Sequence, residues 1–166
     1  SGRRVNGFMR SAILAAKNEG LDFIMACNTD EADKEGYAQD CVDYGIRLEH
    51  IDFDRNPLSQ KNKKAYHQLL DLMSREHFDV VHCNTPIGGV LGRICARKAG
   101  INNVIYMAHG FHFWKGAPLK NWIVYYPVEK VLAFMTDAIF TVNKDDYELV
   151  CKHFPKKLKK FLIKLL

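Results

Sequence analysis

An α/β fold on a mainly parallel sheet is the class this sequence predicts, and three observations carry the prediction. Apolar runs of strand length recur at LDFIMACN (21–28), FDVVHCN (78–84), NNVIYMA (102–108) and DAIFTVN (137–143). Stretches with helical spacing fill the intervals between them. Apolar strands joined through helical crossovers belong to a parallel sheet covered on both faces, a three-layer Rossmann-like arrangement.

Each element has its own signal. VNGFMRSAILAAKNEG (5–20) is spaced as a helix and stops at Gly20. LDFIMACN supplies a strand near 22–27, and TDEADKEGYAQDCVDYG (29–45) a helix that opens on Thr29 with acids and ends in glycine. IRLEHIDF (46–53) alternates as a strand, and DRNPLS turns because Pro57 fixes its own φ and donates nothing. SQKNKKAYHQLLDLMSREH (59–77) is amphipathic, with Ala65, Leu69, Leu72 and Met73 on one stripe. FDVVHCN predicts a strand near 79–83, and TPIGGVLGRICARKAG (85–100) a helix with Pro86 in its first turn and Gly100 at its end. After the strand near 103–108, PLKNWIVYYPVEKVLAFMT (118–136) predicts a helix interrupted or kinked at Pro127. DAIFTVN gives the last expected strand, near 138–142, and KDDYELVCKHF a helix whose Asp145 and Asp146 suit its N-terminal dipole.

The 166 residues, 48% hydrophobic and 26% charged, suffice for one domain with a core. No run approaches the roughly 18 apolar residues of a membrane span, and SGRRVNGF has no apolar segment of a signal peptide. The initial Ser-Gly reads as a cloning scar or an arbitrary cut. Five scattered cysteines (Cys27, Cys41, Cys83, Cys95, Cys151) predict reduced thiols in a cytoplasmic protein. The net charge of +5 resides in PKKLKKFLIKLL (155–166): without its five lysines the body balances 19 basic against 19 acidic residues. A basic stripe on the fold is therefore lacking, which argues against nucleic-acid binding. In the tail, Leu158, Phe161, Leu162 and Leu165 fall on one helical stripe. A basic amphipathic helix over 155–166 is the expectation, lying either on an anionic leaflet or on the domain's own apolar surface.

IDFDRNPLSQKNKKAY, FDVVHCNTP, IYMAHGFHFWKGAPLKNWIVYYPVEK and DAIFTVNKDDYE together resemble the N-terminal half of bacterial family 4 glycosyltransferases, in the capsular and exopolysaccharide branch. The likeness runs from about residue 3 to about 154, and the block 104–130 is its specific part. It implies half of a GT-B fold: residues 1–154 as the acceptor-side Rossmann-like domain, with the donor domain absent. It also implies that the first, central strand is missing, and that Met9 and Ser11 stand where the family often carries a histidine. The implied activity is retaining transfer of a sugar from a nucleotide-sugar donor to a lipid-linked saccharide, by an enzyme on the inner face of the plasma membrane. No cofactor is implied, the donor being a substrate bound mainly by the absent domain or by a partner subunit. This chain alone is expected to be inactive. Two alternatives are a non-catalytic subunit that recruits a separate donor-domain partner and a fragment of a GT-B nucleotide-sugar epimerase.

Strand ends in an open parallel sheet deliver their loops to one rim, where ligands bind. NTP (84–86) and HGFHFWKG (109–116) should meet there. By resemblance His109 matches the family histidine that faces the donor sugar, so His109 is the catalytic candidate. Asn84, Thr85, Gly110, Phe111, His112 and Lys115 are the substrate-binding candidates. A packed corner is the other reading for His112, Phe111, Phe113 and Trp114, since rings usually fill space. A zinc set from His82, Cys83, His109 and His112 lacks metal-site spacing, so no metal is expected. Gly88, Gly89 and Gly92 are expected to let their helix pack closely, and Arg55 and Asn56 to stabilise their turn.

Overall fold

A computed structural model describes residues 4–163. Within them, two compact units divide between Gln68 and Leu69. Among the described residues all ladders are parallel, in two sheets: one of two strands and one of four.

The first unit holds α1 (Gly7–Asn18), β1 (Ile24–Cys27), α2 (Lys34–Tyr44) and β2 (Arg47–His50). Asn6 caps α1 by accepting from Met9 N, and Gly20 follows its end with a φ of 69°. Helix α2 starts later than expected. Asp33, not Thr29, is its N-cap and accepts from Gly36 N; Gly45 closes it in the left-handed region. β1 and β2 pair in register Ile24 with Arg47 through Cys27 with His50. Val5, Ile13, Met25, Tyr37 and Ile46 form the core of this unit.

Helix α3 (Lys61–Glu76) crosses from one unit into the other. The predicted stripe of Ala65, Leu69, Leu72 and Met73 is buried. The second unit contains β3 (Val80–Cys83), α4 (Pro86–Lys98), β4 (Asn103–Ala108), α5 (Leu119–Leu132), a 3-10 turn (Ala133–Met135), β5 (Ala138–Thr141), α6 (Lys144–His153) and β6 (Lys159–Leu162). Its strand order is β3-β4-β5-β6. Crossovers that place sequential strands side by side bring the loops after β3 and β4 to the same edge.

Glycines set the closeness of α4. A Cβ on Gly89 would stand 2.7 Å from the Tyr106 ring, and one on Gly92 2.5 Å from Cys83 Sγ. Cys83 thus faces α4, and alternation along the strand turns His82 to the opposite face. Helix α5 runs without interruption through Pro127. The carbonyl that loses its bond there belongs to Ile123, an exposed residue, so solvent can satisfy it.

The tail differs from expectation. Lys159–Leu162 is a strand that pairs with β5, from Ala138 with Lys159 to Thr141 with Leu162. Phe161 stacks on Phe140 at 4.9 Å, and Leu158 is buried. Pairing with a ready-made strand edge gives part of this backbone hydrogen-bond partners at once, which an isolated helical turn cannot match. Leu165, the fourth member of the predicted stripe, lies outside the described residues. No helix among the described residues is long and apolar enough to cross a membrane.

Candidate functional site

The rim of the second unit is built by the ends of β3 and β4. Ala108 is the last residue of β4, and His109 follows it onto the exposed edge. Asn84 follows β3, and its Oδ1 lies 3.1 Å from His109 Nε2. A carboxamide oxygen only accepts, so in the neutral ring Nε2 carries the proton. Partial burial lowers the His109 pKa below its ordinary value, which keeps the ring uncharged near neutrality.

Thr85 completes this edge at a backbone cost. It is the N-cap of α4 with φ 63°, and its side chain makes no capping bond. For a β-branched residue that conformation costs on the order of 1–3 kcal/mol. Gly88 leaves room for it, since a Cβ there would come 2.8 Å from Thr85 Oγ1.

The HGFHFWKG loop divides into inward and outward residues. Gly110, with φ 133°, occupies a conformation that only glycine adopts readily. Phe111 turns inward: it is buried, stacks on Phe113 at 4.8 Å and meets Phe154 at 5.9 Å. Its substrate-binding role gives way to packing, because a ring enclosed by two others has no face left for a sugar. Phe113 is wholly buried, against Trp122 at 5.6 Å and Tyr126 at 5.5 Å. His112 is exposed beside the Tyr125 ring at 4.7 Å, while its carbonyl accepts from Asn121 Nδ2 at 2.9 Å. Lys115 and Trp114 are exposed.

Three placements escaped the sequence reading. Asp146 is buried, and its Oδ2 accepts from Phe111 N at 3.2 Å and from Asn143 Nδ2 at 2.7 Å. It anchors the histidine loop from α6 as well as standing in the first helical turn. His82 Nε2 is buried with no hydrogen-bond partner among the described residues. Burial lowers its pKa first, and the neighbouring His109 lowers it further. Cys83, on the other face, is buried and its thiol pKa is raised to about 12 by that burial.

In the first unit, the ends of β1 and β2 carry a polar cluster that the sequence reading did not assemble. Thr29 Oγ1 is 2.7 Å from His50 Nδ1, and His50 Nε2 is 3.4 Å from Asp52 Oδ1. Lys64 Nζ and Gln68 Nε2 each reach Asp52 Oδ2 at 2.8 Å. The alternation in HID at a strand end was the available signal. Below it, Asn56 does stabilise its turn, accepting from Leu58 N at 3.0 Å and, through its carbonyl, from Asn62 Nδ2 at 2.8 Å. Arg55 does not: it is exposed, and among the described residues its side chain makes no hydrogen bond or ion pair.

The likeness to known proteins matches this construction. A family model described as glycosyl transferase 4-like covers residues 3–143. EpsD of Bacillus subtilis (strain 168), named as a glycosyltransferase, is 50% identical over 99 residues, 58% of this chain and 26% of EpsD. The UDP-Gal:alpha-D-GlcNAc-diphosphoundecaprenol alpha-1,3-galactosyltransferase of Escherichia coli is 29% identical over 136 residues, 81% of this chain and 34% of that protein. The chain thus spans about a quarter to a third of these relatives. Among solved structures, MurG of Acinetobacter baumannii superposes with a TM-score of 0.57 at 15% identity, over 95% of this chain and 42% of MurG. That likeness shows the fold. Both rim loops, with Asn84 and His109, lie inside the span of the family model, and the chain belongs to the glycosyl transferase 4-like family.

Proposed function

We propose that this chain is the acceptor-side half of a retaining glycosyltransferase, which moves a sugar from a nucleotide-sugar donor to a lipid-linked saccharide in cell-surface polysaccharide synthesis. The observation that supports this most is His109, exposed at the end of β4 and held by Asn84 from the end of β3. The Escherichia coli relative supports the acceptor class, because its name specifies a diphosphoundecaprenol-linked saccharide. The work site of such an enzyme is the cytoplasmic face of the membrane.

Glycosyl transfer passes through an oxocarbenium-like state. A neutral imidazole beside the ring can hydrogen-bond a sugar hydroxyl more strongly at that stage than in the ground state, which lowers the barrier. Half-buried Asn84 and exposed Thr85, Gly110, His112 and Lys115 line the same loops and are the substrate-contact candidates. The nucleoside diphosphate leaving group needs positive charge close by. The balanced charge of residues 1–154 supplies no cluster for it, so the donor belongs to a further domain or a partner subunit.

The test uses the full-length protein that contains this chain. His109→Ala should lower turnover by roughly 10²-fold or more, the range for one preorganised polar contact. His112→Ala, which removes a substrate-contact candidate and its ring contact with Tyr125, should lower turnover less than His109→Ala. Near-normal turnover by well-folded His109→Ala overturns the catalytic role. Sugar transfer by the purified 166-residue chain alone overturns the half-enzyme reading.

A further inference from the structure

We propose that Thr29, His50 and Asp52 form a second site, which hydrolyses short-chain acyl esters of polar alcohols. Thr29 is its nucleophile, His50 the general base and Asp52 a positioning residue. All three stand at or just past the carboxyl ends of β1 and β2, the edge where parallel sheets bind ligands. None of them has a part in the proposed sugar transfer.

Hydrogen bonding fixes the tautomer of the imidazole. Thr29 N donates to His50 Nδ1 at 3.3 Å, and a ring nitrogen that accepts carries no proton. Thr29 Oγ1, 2.7 Å from the same nitrogen, is therefore the donor in that contact. The ring proton lies on Nε2, which faces Asp52 Oδ1 at 3.4 Å and Asp30 Oδ1 at 3.9 Å. Asp52 is held in turn: its Oδ2 accepts from Lys64 Nζ and Gln68 Nε2, each at 2.8 Å, and its backbone N donates to Gln68 Oε1 at 3.0 Å. The Lys64 bond, helped by those from Gln68 and His50, holds its pKa at about 2, so it stays ionised. A hydroxyl on a base whose far nitrogen faces a carboxylate is the arrangement that activates a nucleophile.

The surrounding loops keep this geometry in place. Asn28 Nδ2 donates to the Phe53 carbonyl at 2.9 Å and Asn28 Oδ1 accepts from Asp30 N at 2.8 Å, which ties the segment carrying Thr29 to the one after β2. Asp33 caps α2, so the Thr29 hydroxyl is not engaged at the helix end. Thr29 is half-buried and His50 exposed, which leaves an approach for a substrate. In the reaction Thr29 Oγ1 bonds to the acyl carbon while its proton passes to His50 Nδ1. Once protonated, Nδ1 no longer accepts from Thr29 N, and that N–H becomes available to the developing oxyanion. The bond from acyl carbon to alcohol oxygen then breaks, and the proton on Nδ1 leaves with the alcohol. Water attacks acyl-Thr29 in the same way, giving a proton to Nδ1. The carboxylic acid departs as Thr29 Oγ1 takes that proton back, so that ester and water become acid and alcohol. Asn28, Asp30, Lys61 (3.8 Å from Asp30) and Lys64 surround the set. Such polar neighbours suit a hydroxylated alcohol and a short acyl group, not a long chain.

Hydrolysis of para-nitrophenyl acetate tests it, using the full-length protein that contains this chain with no sugar donor present. Nitrophenolate release should turn over, and peptide mass spectrometry of acid-quenched samples should find an acetyl group on Thr29. Thr29→Val and His50→Gln should each lower release by roughly 10²-fold, the size of one general-base contribution. Thr29→Ser keeps the hydroxyl and should retain most of the rate. Asp52→Asn should lower kcat and leave KM nearly unchanged, as a positioning role requires and a loss of folded protein does not. Circular dichroism checks each variant, and the near-isosteric Thr29→Val serves as the reference should His50→Gln fold poorly. Release by the parent no faster than by Thr29→Val, or acetyl groups on lysines and none on Thr29, would overturn the proposal. The assay contains no glycosyl donor or acceptor, so failure of the transferase reading would leave these rates as they are.

Discussion

Arg93 lies wholly out of solvent in α4 and forms a two-point ion pair with Glu129 of α5, at 2.8 and 3.1 Å. Its Nε donates to the Gly89 carbonyl at 2.7 Å, and its guanidinium carbon stands 3.9 Å from the centre of the Tyr106 ring. Each of the three guanidinium nitrogens has an acceptor, and the charge is paired, which is the condition for a buried charge to be tolerated. The pair fixes α5 to α4 and so determines which side of α5 remains outward.

Removing one partner strands the other. Arg93→Met or Glu129→Gln should each lower unfolding free energy by about 3–5 kcal/mol. The double variant Arg93→Met/Glu129→Leu should recover much of that loss, because no uncompensated charge remains. Urea denaturation of the three variants reads this directly. Additive losses in the double variant would mean that the two groups act separately.

Asp146 makes a second tie, from α6 to the histidine loop through Phe111 N. Asp146→Ala removes the acceptor for that buried N–H and for Asn143 Nδ2. Loss of stability of about 1–3 kcal/mol is expected from the unmet donor. Amide hydrogen exchange at residues 109–113 should accelerate more than exchange in β3. Uniform acceleration over the whole unit would assign Asp146 to general stability and not to the loop.

How far the sequence led depends on the element. Apolar strands of the second unit were legible because each runs four to six residues between punctuation such as Gly100 and the Asn-Thr-Pro turn. β6 was not, because LKKFL offers apolar residues at offsets that suit either period over so short a window. What decides it is the edge of β5, a tertiary partner that the local pattern does not contain. The same limit hid the Arg93–Glu129 pair, 36 positions apart, and the tie from Asp146 to Phe111, 35 apart. Meeting of Asn84 and His109 was legible, since strand ends in a parallel sheet share an edge whatever their sequence separation.

Acid should act on the first unit through Asp52. The Lys64 hydrogen bond is the largest influence on its carboxyl and, with those from Gln68 and His50, outweighs burial, holding the pKa at about 2. An unfolded aspartate titrates near 3.9. The depressed value therefore adds stability that is fully present above about pH 4 and is lost as pH falls through about 2. Asp52→Asn should be less stable than the parent at neutral pH, with the gap closing towards pH 2. Denaturant midpoints at pH 7, 4 and 2.5 check it, and a gap independent of pH would remove Asp52 from the acid response.

His82 governs a different range of pH. Its Nε2 is buried without a partner among the described residues, so the folded chain resists protonating it. Burial is the larger cause of its lowered pKa, and proximity to His109 the smaller. The unfolded chain binds that proton near pH 6.5. Because the folded pKa is the lower one, stability is complete above about 6.5 and falls as pH drops through the folded value. His82→Phe keeps a flat ring, removes the unmet nitrogen and abolishes the titration. It should be at least as stable as the parent at pH 7 and lose less stability between pH 7 and 5. His109 also has a lowered pKa, so some slope should persist in that variant and diminish further in His82→Phe/His109→Gln. Asp52 titrates well below this window, which keeps the two responses separable in one series of melts. An unchanged slope between pH 7 and 5 in His82→Phe would mean that the buried imidazole takes up its proton in the folded state as readily as in the unfolded one.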